Sequence, residues 1–324
     1  MIRTSHYLFA ALCLGSLFAC SRQFTDSYIV PKWCFAVFML FIVLAYEAVN
    51  ILFYRQNEQK DTRISVYGFI IVISCFLQAM FGVVQFFGFF QISTTLWVTG
   101  SFDNPAGFAA CLCAGFPFVG FLLSDSNKYI RYVGGLIGFV IVIAVILSQS
   151  RAGIMSIAFI CFILLNMKFF HKRWVKYLSL LCFALLLSGC YWMKKDSADG
   201  RLLIWRCSVS MVKDAPWLGH GIGSFEARYM DYQADYFRQY GLNRYSMLAD
   251  NVKHPFNEYL GVLLNFGFVG LLMILALITL LIYCYKKHPC AEKRIAFYSL
   301  ISIGVFSFFS YTFTYPFTWI VTFL

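Results

Sequence analysis

The chain has little of what soluble enzymes use. Only 13% of its 324 residues are charged, with 15 acidic residues against 26 Lys and Arg. No Asp-x-Asp pair is present to hold a metal-bound nucleotide sugar, and no His/Cys cluster has zinc spacing. No G-x-S-x-G elbow offers a hydrolase serine. The twelve cysteines include no CxxC; nearly all, among them Cys75, Cys111, Cys113, Cys161 and Cys182, lie in apolar runs and read as small core residues. Internal repeats, heptads and low-complexity linkers are absent, which excludes solenoids and coiled coils.

What is present is oil. Hydrophobic residues make up 60% of the chain and aromatics 20%, with a mean hydropathy of +0.72, far outside soluble composition. A helix satisfies its own amides, which in lipid would each cost several kcal/mol if unpaired, so ~20 apolar residues make one span. The fold class is therefore all-α, a polytopic integral membrane protein of about 9–10 transmembrane helices. Apolar runs predict spans near 7–20, 33–54, 64–90, 106–123, 132–148, 152–169, 175–192, 257–284 and 295–311. A tenth run starts at Thr312 and stops at Leu324, too short to span alone. The opening resembles a secretory or lipoprotein signal ending at Cys20, but Phe18 is bulky where such sites want a small residue.

The net charge of +11 does not point to nucleic acid, because the cations sit in alternate loops. Arg3, then Arg55, Lys60 and Arg63, Lys128 and Arg131, the cluster Lys168, Lys172, Arg173 and Lys176, and finally Lys286, Lys287, Lys293 and Arg294 fall on one side. The positive-inside rule makes that side cytoplasmic, with the amino terminus inside. The opposite loops hold only Arg22, Lys32 and Arg151, so 193–256, between the seventh and eighth helices, lies outside. Residues 1–324 read as a single membrane domain carrying this one long loop.

Function is expected in the loop and at its edges. "GRLLIWRCSVSMVKDAPW" reads as a helix from about Arg201 closed by Pro216, and "SFEARYMDYQADYFRQYG" as a second closed by Gly241. Phe225, Tyr229, Tyr232, Tyr236 and Tyr240 form one aromatic stripe, which reads either as a helix in the headgroup layer or as a platform for sugar rings. Between the helices, Gly219, Gly221 and Gly223 give G-x-G-x-G, but Ser224 stands where a dinucleotide loop needs its third glycine. The stretch reads as a turn, with the amides opening the second helix as a lesser anion-binding prospect. Cys207 lies in the loop and Cys190 near its start, and the sequence alone leaves a bridge between them open.

Three places concentrate charge. Arg151 in "SQSRAG" interrupts two apolar runs and must face water, an anion or a carboxylate, or snorkel outward. Arg201 and Arg206 offer planar forks suited to a diphosphate, or pair with loop acids such as Asp196 and Asp199. In "KHPFNEYLG", His254 precedes Glu258 by four residues, so the two share a face if the helix begins early. A His near its usual pKa of ~6.5 suits proton transfer from a hydroxyl; alternatively His254 and Asn257 only cap the helix and meet headgroups.

"GSFDNPAGFAACL" from Gly100, "SQSRAG", "GRLLIWRCSVSMVKDAPWLGHGIGSF" and "HPFNEYLGVLLNFGFVGLL" occur in the order and spacing of the O-antigen ligase and polymerase family of bacterial membrane glycosyltransferases. The resemblance covers about residues 80 to 315. It implies transfer of a glycan from an undecaprenyl-diphosphate carrier to an acceptor hydroxyl on lipid A-core, protein or a growing glycan. The reaction would take place at the periplasmic face of the inner membrane, among membrane lipids, without metal or cofactor and by an inverting route. His254, Arg201 and Arg151 match the family's essential residues and Trp205 its loop tryptophan. Arg206, Asn257, Glu258 and Asn104 are further substrate-binding candidates. Two rivals stay open at this point: a polymerase of the same family, and a transporter or flippase of an anionic lipid-linked sugar. The latter would more naturally carry ionisable groups at midplane, where Glu47 is the main residue of that kind.

Overall fold

The computed structural model describes residues 4–54, 60–89, 98–168, 172–193, 195–287 and 290–324. Arg3 and Arg55 of the charge pattern lie outside them. Among the described residues the chain is helical with no strand: α1 Thr4–Phe18, α2 Ile29–Tyr54, α3 Lys60–Phe86, α4 Pro105–Gly115, α5 Val119–Leu123, α6 Lys128–Leu147, α7 Arg151–Lys168, α8 Arg173–Met193, α9 Lys195–Asp214, α10 Ser224–Tyr240, α11 Glu258–Lys287, α12 Ala291–Phe309 and α13 Pro316–Thr322. Among the described residues six segments are long and apolar enough to cross a membrane: Ile29–Asn50, Ser65–Phe86, Pro105–Leu123, Lys128–Leu147, Arg173–Trp192 and Glu258–Lys287. The protein is a polytopic membrane protein. Three other expected spans appear as apolar helices that fall short of that standard. Thr4–Phe18 has 15 residues and Arg151–Met167 is also short, while α12 opens on the charged Glu292, Lys293 and Arg294.

The chain divides into two compact units. The first comprises Met1–Cys161, Cys290–Phe306 and Thr312–Leu324; the second comprises Phe162–Pro289 and Ser307–Tyr311.

In the first unit α4 is the buried centre, every residue from Gly107 to Gly115 being buried. Small residues make this possible, since Gly, Ala and Cys let neighbouring helices approach closely. Pro117 then stops the helix. It has no N–H to give Cys113, four residues back, and the Ser302 hydroxyl donates to that carbonyl instead at 2.7 Å. Ser299 does the same for the Ala114 carbonyl at 2.6 Å, so α12 supplies the hydrogen bonds that the proline kink removes.

Lys32 corrects the charge map. Its place is inside α2, fully buried, not in an outer loop. Its ammonium donates to the carbonyls of Ala19 at 3.0 Å and Ser101 at 2.7 Å and lies 4.8 Å from the Phe102 ring. A buried ammonium needs such partners because desolvation is costly. The side expected from the charge pattern to lie outside thereby loses one of its counted cations, and the bias of the pattern keeps its sign.

The second unit is organised by the α9–α10 hairpin. Leu203, Ile204, Cys207 and Met211 of α9 pack against Phe225 and Tyr229 of α10, Tyr245 and Leu264. α10 starts after Gly223 and ends at Gly241, as expected; both glycines hold positive φ, at 80° and 68°. α9 begins six residues earlier than the sequence suggested, with Asp196 in its first turn, where a carboxylate favours a helix N-terminus. The aromatic stripe is a correction: Phe225 and Tyr229 are buried, stacked at 4.8 Å, and Tyr232 and Tyr236 are partly buried. Most of the stripe is the seam of the hairpin, neither a headgroup layer nor a sugar platform. Cys207 is a free thiol in this core, so no bridge joins it to Cys190; burial pushes its pKa up to about 11.

The glycine-rich turn has a definite task. α11 breaks at Gly267, whose φ is 61° and ψ −159°. In an unbroken helix the amides of Phe268 and Val269 would donate to the carbonyls of Leu264 and Asn265, four residues back. Here those carbonyls accept from His220 at 2.7 Å and Gly221 at 3.1 Å, while Phe268 and Val269 donate to Pro216 at 2.8 Å and Trp217 at 3.2 Å. The turn thus takes over four of the backbone groups that the break exposes, and a helix entering lipid needs such partners.

Candidate active site

Arg201 and Trp205 are four residues apart on α9 and so share a face. Arg201 Nη1 donates to the Phe309 carbonyl at 2.7 Å, an acceptor left over where α12 ends. Its guanidinium lies 5.0 Å from the Phe256 ring. Trp205 Nε1 donates to the Pro255 carbonyl at 3.0 Å, and its ring meets Phe308 edge-on at 6.0 Å. The His254 imidazole stacks on Tyr311 at 4.6 Å and 23°, and Phe256 meets the same ring at 5.4 Å. Arg201, Trp205 and His254 are therefore drawn into one cluster, floored by Phe256, Phe308 and Tyr311.

His254 is half-buried, and that burial lowers its pKa from the usual value. The Glu226 carboxylate pulls the pKa back up and the Lys253 ammonium pushes it down; these two charges lie 4.0 Å apart. The imidazole is thus neutral at neutral pH and able to accept a proton. Phe256, two residues on, holds φ at 52°. Bulky residues avoid that region, and where one is held there the surroundings over-determine it, commonly at functional sites. Gln149, two residues before Arg151, is the other non-glycine residue with positive φ among the described residues.

Asn257 is buried and caps α11: its Oδ1 accepts from the Leu260 amide at 3.0 Å. Glu258 is the first residue of α11, in the turn where a carboxylate favours the helix dipole. The helix does not begin early, so the condition for His254 and Glu258 to share a helical face is not met, and Glu226 is the carboxylate whose field raises the imidazole's pKa. Arg206 does not join Arg201. Five residues at ~100° each place it roughly 140° around α9, where it donates to Tyr236 Oη at 3.4 Å and lies over the Tyr245 ring.

Asn104 and Arg151 belong to the first unit. Asn104 caps α4, its Oδ1 accepting from the amides of Ala106 at 2.8 Å and Gly107 at 3.0 Å and from Tyr315 Oη at 3.3 Å. Arg151 opens α7 directly after Ser150. A Cβ on Gly153 would stand 2.9 Å from that of Ala109, so the two motifs open helices that pack at glycine distance. Burial raises the pKa of Asp103 beside them, despite hydrogen bonds that lower it.

Residues 136–275 match the family model of O-antigen ligase. Over this stretch the chain is similar to the O-antigen ligase family. The matched segment runs from within α6 into α11 past Gly267, and holds Arg151, Arg201, Trp205, Arg206, His254, Asn257 and Glu258; Asn104 precedes it. No curated protein and no solved structure matches the chain. Sequence reasoning missed Tyr311, Phe309, Phe256 and Glu226. Phe256 lies within the "HPFNEYLG" motif as an ordinary apolar residue, Tyr311 ends an apolar run, and Glu226 sits 28 positions before His254 and meets it only through the fold.

Proposed function

We propose that the protein transfers a glycan from an undecaprenyl-diphosphate carrier to an acceptor hydroxyl at the periplasmic face of the bacterial inner membrane. The observation that carries this reading is the neutral, half-buried His254 fixed on Tyr311 in the same cluster as Arg201, inside the matched segment. His254 takes the proton of the acceptor hydroxyl as its oxygen attacks the anomeric carbon. The bond from that carbon to the diphosphate oxygen breaks, with inversion, and the carrier diphosphate leaves with the electron pair. Arg201 stabilises that growing negative charge. Arg151, the first residue of α7, is a further candidate for holding a phosphate of the donor, on the resemblance of its "SQSRAG" motif. Positioned proton transfer contributes typically ~10²–10⁴-fold and charge stabilisation as much or more.

The test is deletion of the gene and analysis of surface glycans on a gel, with His254→Ala as the complementing variant. Loss of the whole long-glycan ladder with the short core intact identifies a ligase, and one repeat unit left on the core identifies the polymerase. An unchanged ladder, or full rescue by His254→Ala, overturns the proposal. Transport has one feature in its favour, the broken helix α11, since transporters bind cargo at such breaks. The turn at Pro216–Gly221 occupies four of the backbone groups that the break frees, which favours transfer; cytoplasmic build-up of the lipid-linked unit would favour transport.

A further inference from the structure

We propose that the face of α9 turned away from Arg201 carries a second anion subsite, one that takes the phosphate of a phosphorylated sugar. Tyr245, buried, is the centre of this face. The Arg206 guanidinium lies 5.1 Å from its ring centroid and that of Arg244 4.7 Å. Arg244 Nη2 donates to Tyr245 Oη at 2.6 Å and Arg206 Nη1 to Tyr236 Oη at 3.4 Å. Both arginines are exposed, and among the described residues neither forms an ion pair. The carboxylate whose field reaches Arg244 is Asp199, which is buried and accepts from Tyr191 Oη at 3.1 Å.

Two cations held on one ring, within about 10 Å of each other, suit a group with several acceptor oxygens on one centre, which is phosphate rather than a neutral hydroxyl. The site is built in advance: the Tyr245 amide donates to Asn243 Oδ1 at 3.0 Å and the Asn243 amide to Ser246 Oγ at 2.9 Å, fixing the turn that presents Arg244. Preformed sites lose less freedom on binding. Beside it, Tyr236 and Tyr240 lie 4.9 Å apart, and Tyr240 is 62% exposed. This end of the aromatic stripe is the part the hairpin does not bury, and it offers a ring face to the sugar that bears the phosphate. Placing that sugar on the acceptor rests on the transferase reading; its binding does not.

The test uses the full chain in neutral detergent, with glucose 6-phosphate as probe and saturation-transfer NMR as readout. Wild-type protein should bind glucose 6-phosphate, and glucose at least about tenfold more weakly, given the strength of hydrogen bonds to charged groups. Arg206→Gln with Arg244→Gln should weaken the probe at least about tenfold, and added salt should do the same in the wild type. His254→Ala should leave the binding intact, which separates this subsite from the transfer reaction. Unchanged affinity in the double Gln variant, or equal binding of glucose, overturns the proposal. Repeating the measurement in phosphatidylcholine and phosphatidylglycerol nanodiscs tells the source of the phosphate. Persistence in both supports the sugar, whereas loss of the probe only in phosphatidylglycerol assigns the pair to a lipid headgroup and overturns the sugar assignment.

Discussion

Replacing Gly219 by alanine should do far more damage than the same change two or four positions on. Gly219 holds φ at 69°, and an added Cβ would stand 2.6 Å from Asn265 C and Phe266 N and 2.7 Å from Gly267 N. Those are backbone atoms of α11, which cannot swing aside as a side chain would. The left-handed conformation alone costs about 1–2 kcal/mol for a residue with a Cβ. Relief of the clash separates the turn from the helix break, and the four hydrogen bonds across it are worth roughly 0.5–1.5 kcal/mol each. The expected loss is therefore about 3 kcal/mol or more. Gly221 and Gly223 have φ of 91° and 80° with nothing within 4 Å of an added Cβ, so alanine there costs only the conformational ~1–2 kcal/mol. The measurement is thermal unfolding of the purified variants in one detergent, with hydrogen exchange at Phe268 and Val269. Gly219→Ala should melt lowest and expose both amides. Equal melting of the three variants, or unchanged protection at Phe268 and Val269, would refute the account of the turn as the partner of the break.

Because burial holds the His254 pKa below about 6.5, the acid limb of transfer activity should have its midpoint under that value in a pH–rate profile. The same shift makes stability fall with acid: a histidine whose folded pKa lies below its unfolded one stabilises the fold above ~6.5 and loses that contribution as pH drops toward the folded pKa. Glu226→Gln removes the carboxylate that raises the His254 pKa, so the acid limb should move to still lower pH; a move to higher pH contradicts the assignment. Arg201→Lys keeps the charge but loses the planar fork between the Phe309 carbonyl and the Phe256 ring, and should lower transfer at least about tenfold with insertion intact, scored on the glycan ladder.

The spans were legible because the need to satisfy amides in lipid writes itself as length and composition, and α10 was legible to the residue because Gly223 and Gly241 mark its ends. The aromatic stripe shows where that reading stops. Spacing of three and four defines a face but not what covers it, and the cover proved to be α9. The break at Gly267 left no trace, since glycine is common in membrane helices and its left-handed conformation depends on a turn some fifty residues earlier. Arg151, Arg201 and His254 stood out because charge is rare in such a chain, and Trp205 through the family resemblance. What surrounds them is ordinary Phe and Tyr, distinguished only by the tertiary contacts that put Tyr311 under the imidazole and Phe309 against Arg201.

The pairing of Pro216–Gly221 with Leu264–Val269 also sets the unit in which this region can be exchanged between related proteins. A graft cut at the apparent ends of the loop, 193 and 256, would carry one half of the pairing and leave the other in the host helix. The exchangeable cassette extends through Val269, so that a new loop arrives together with the broken helix it was made to mend.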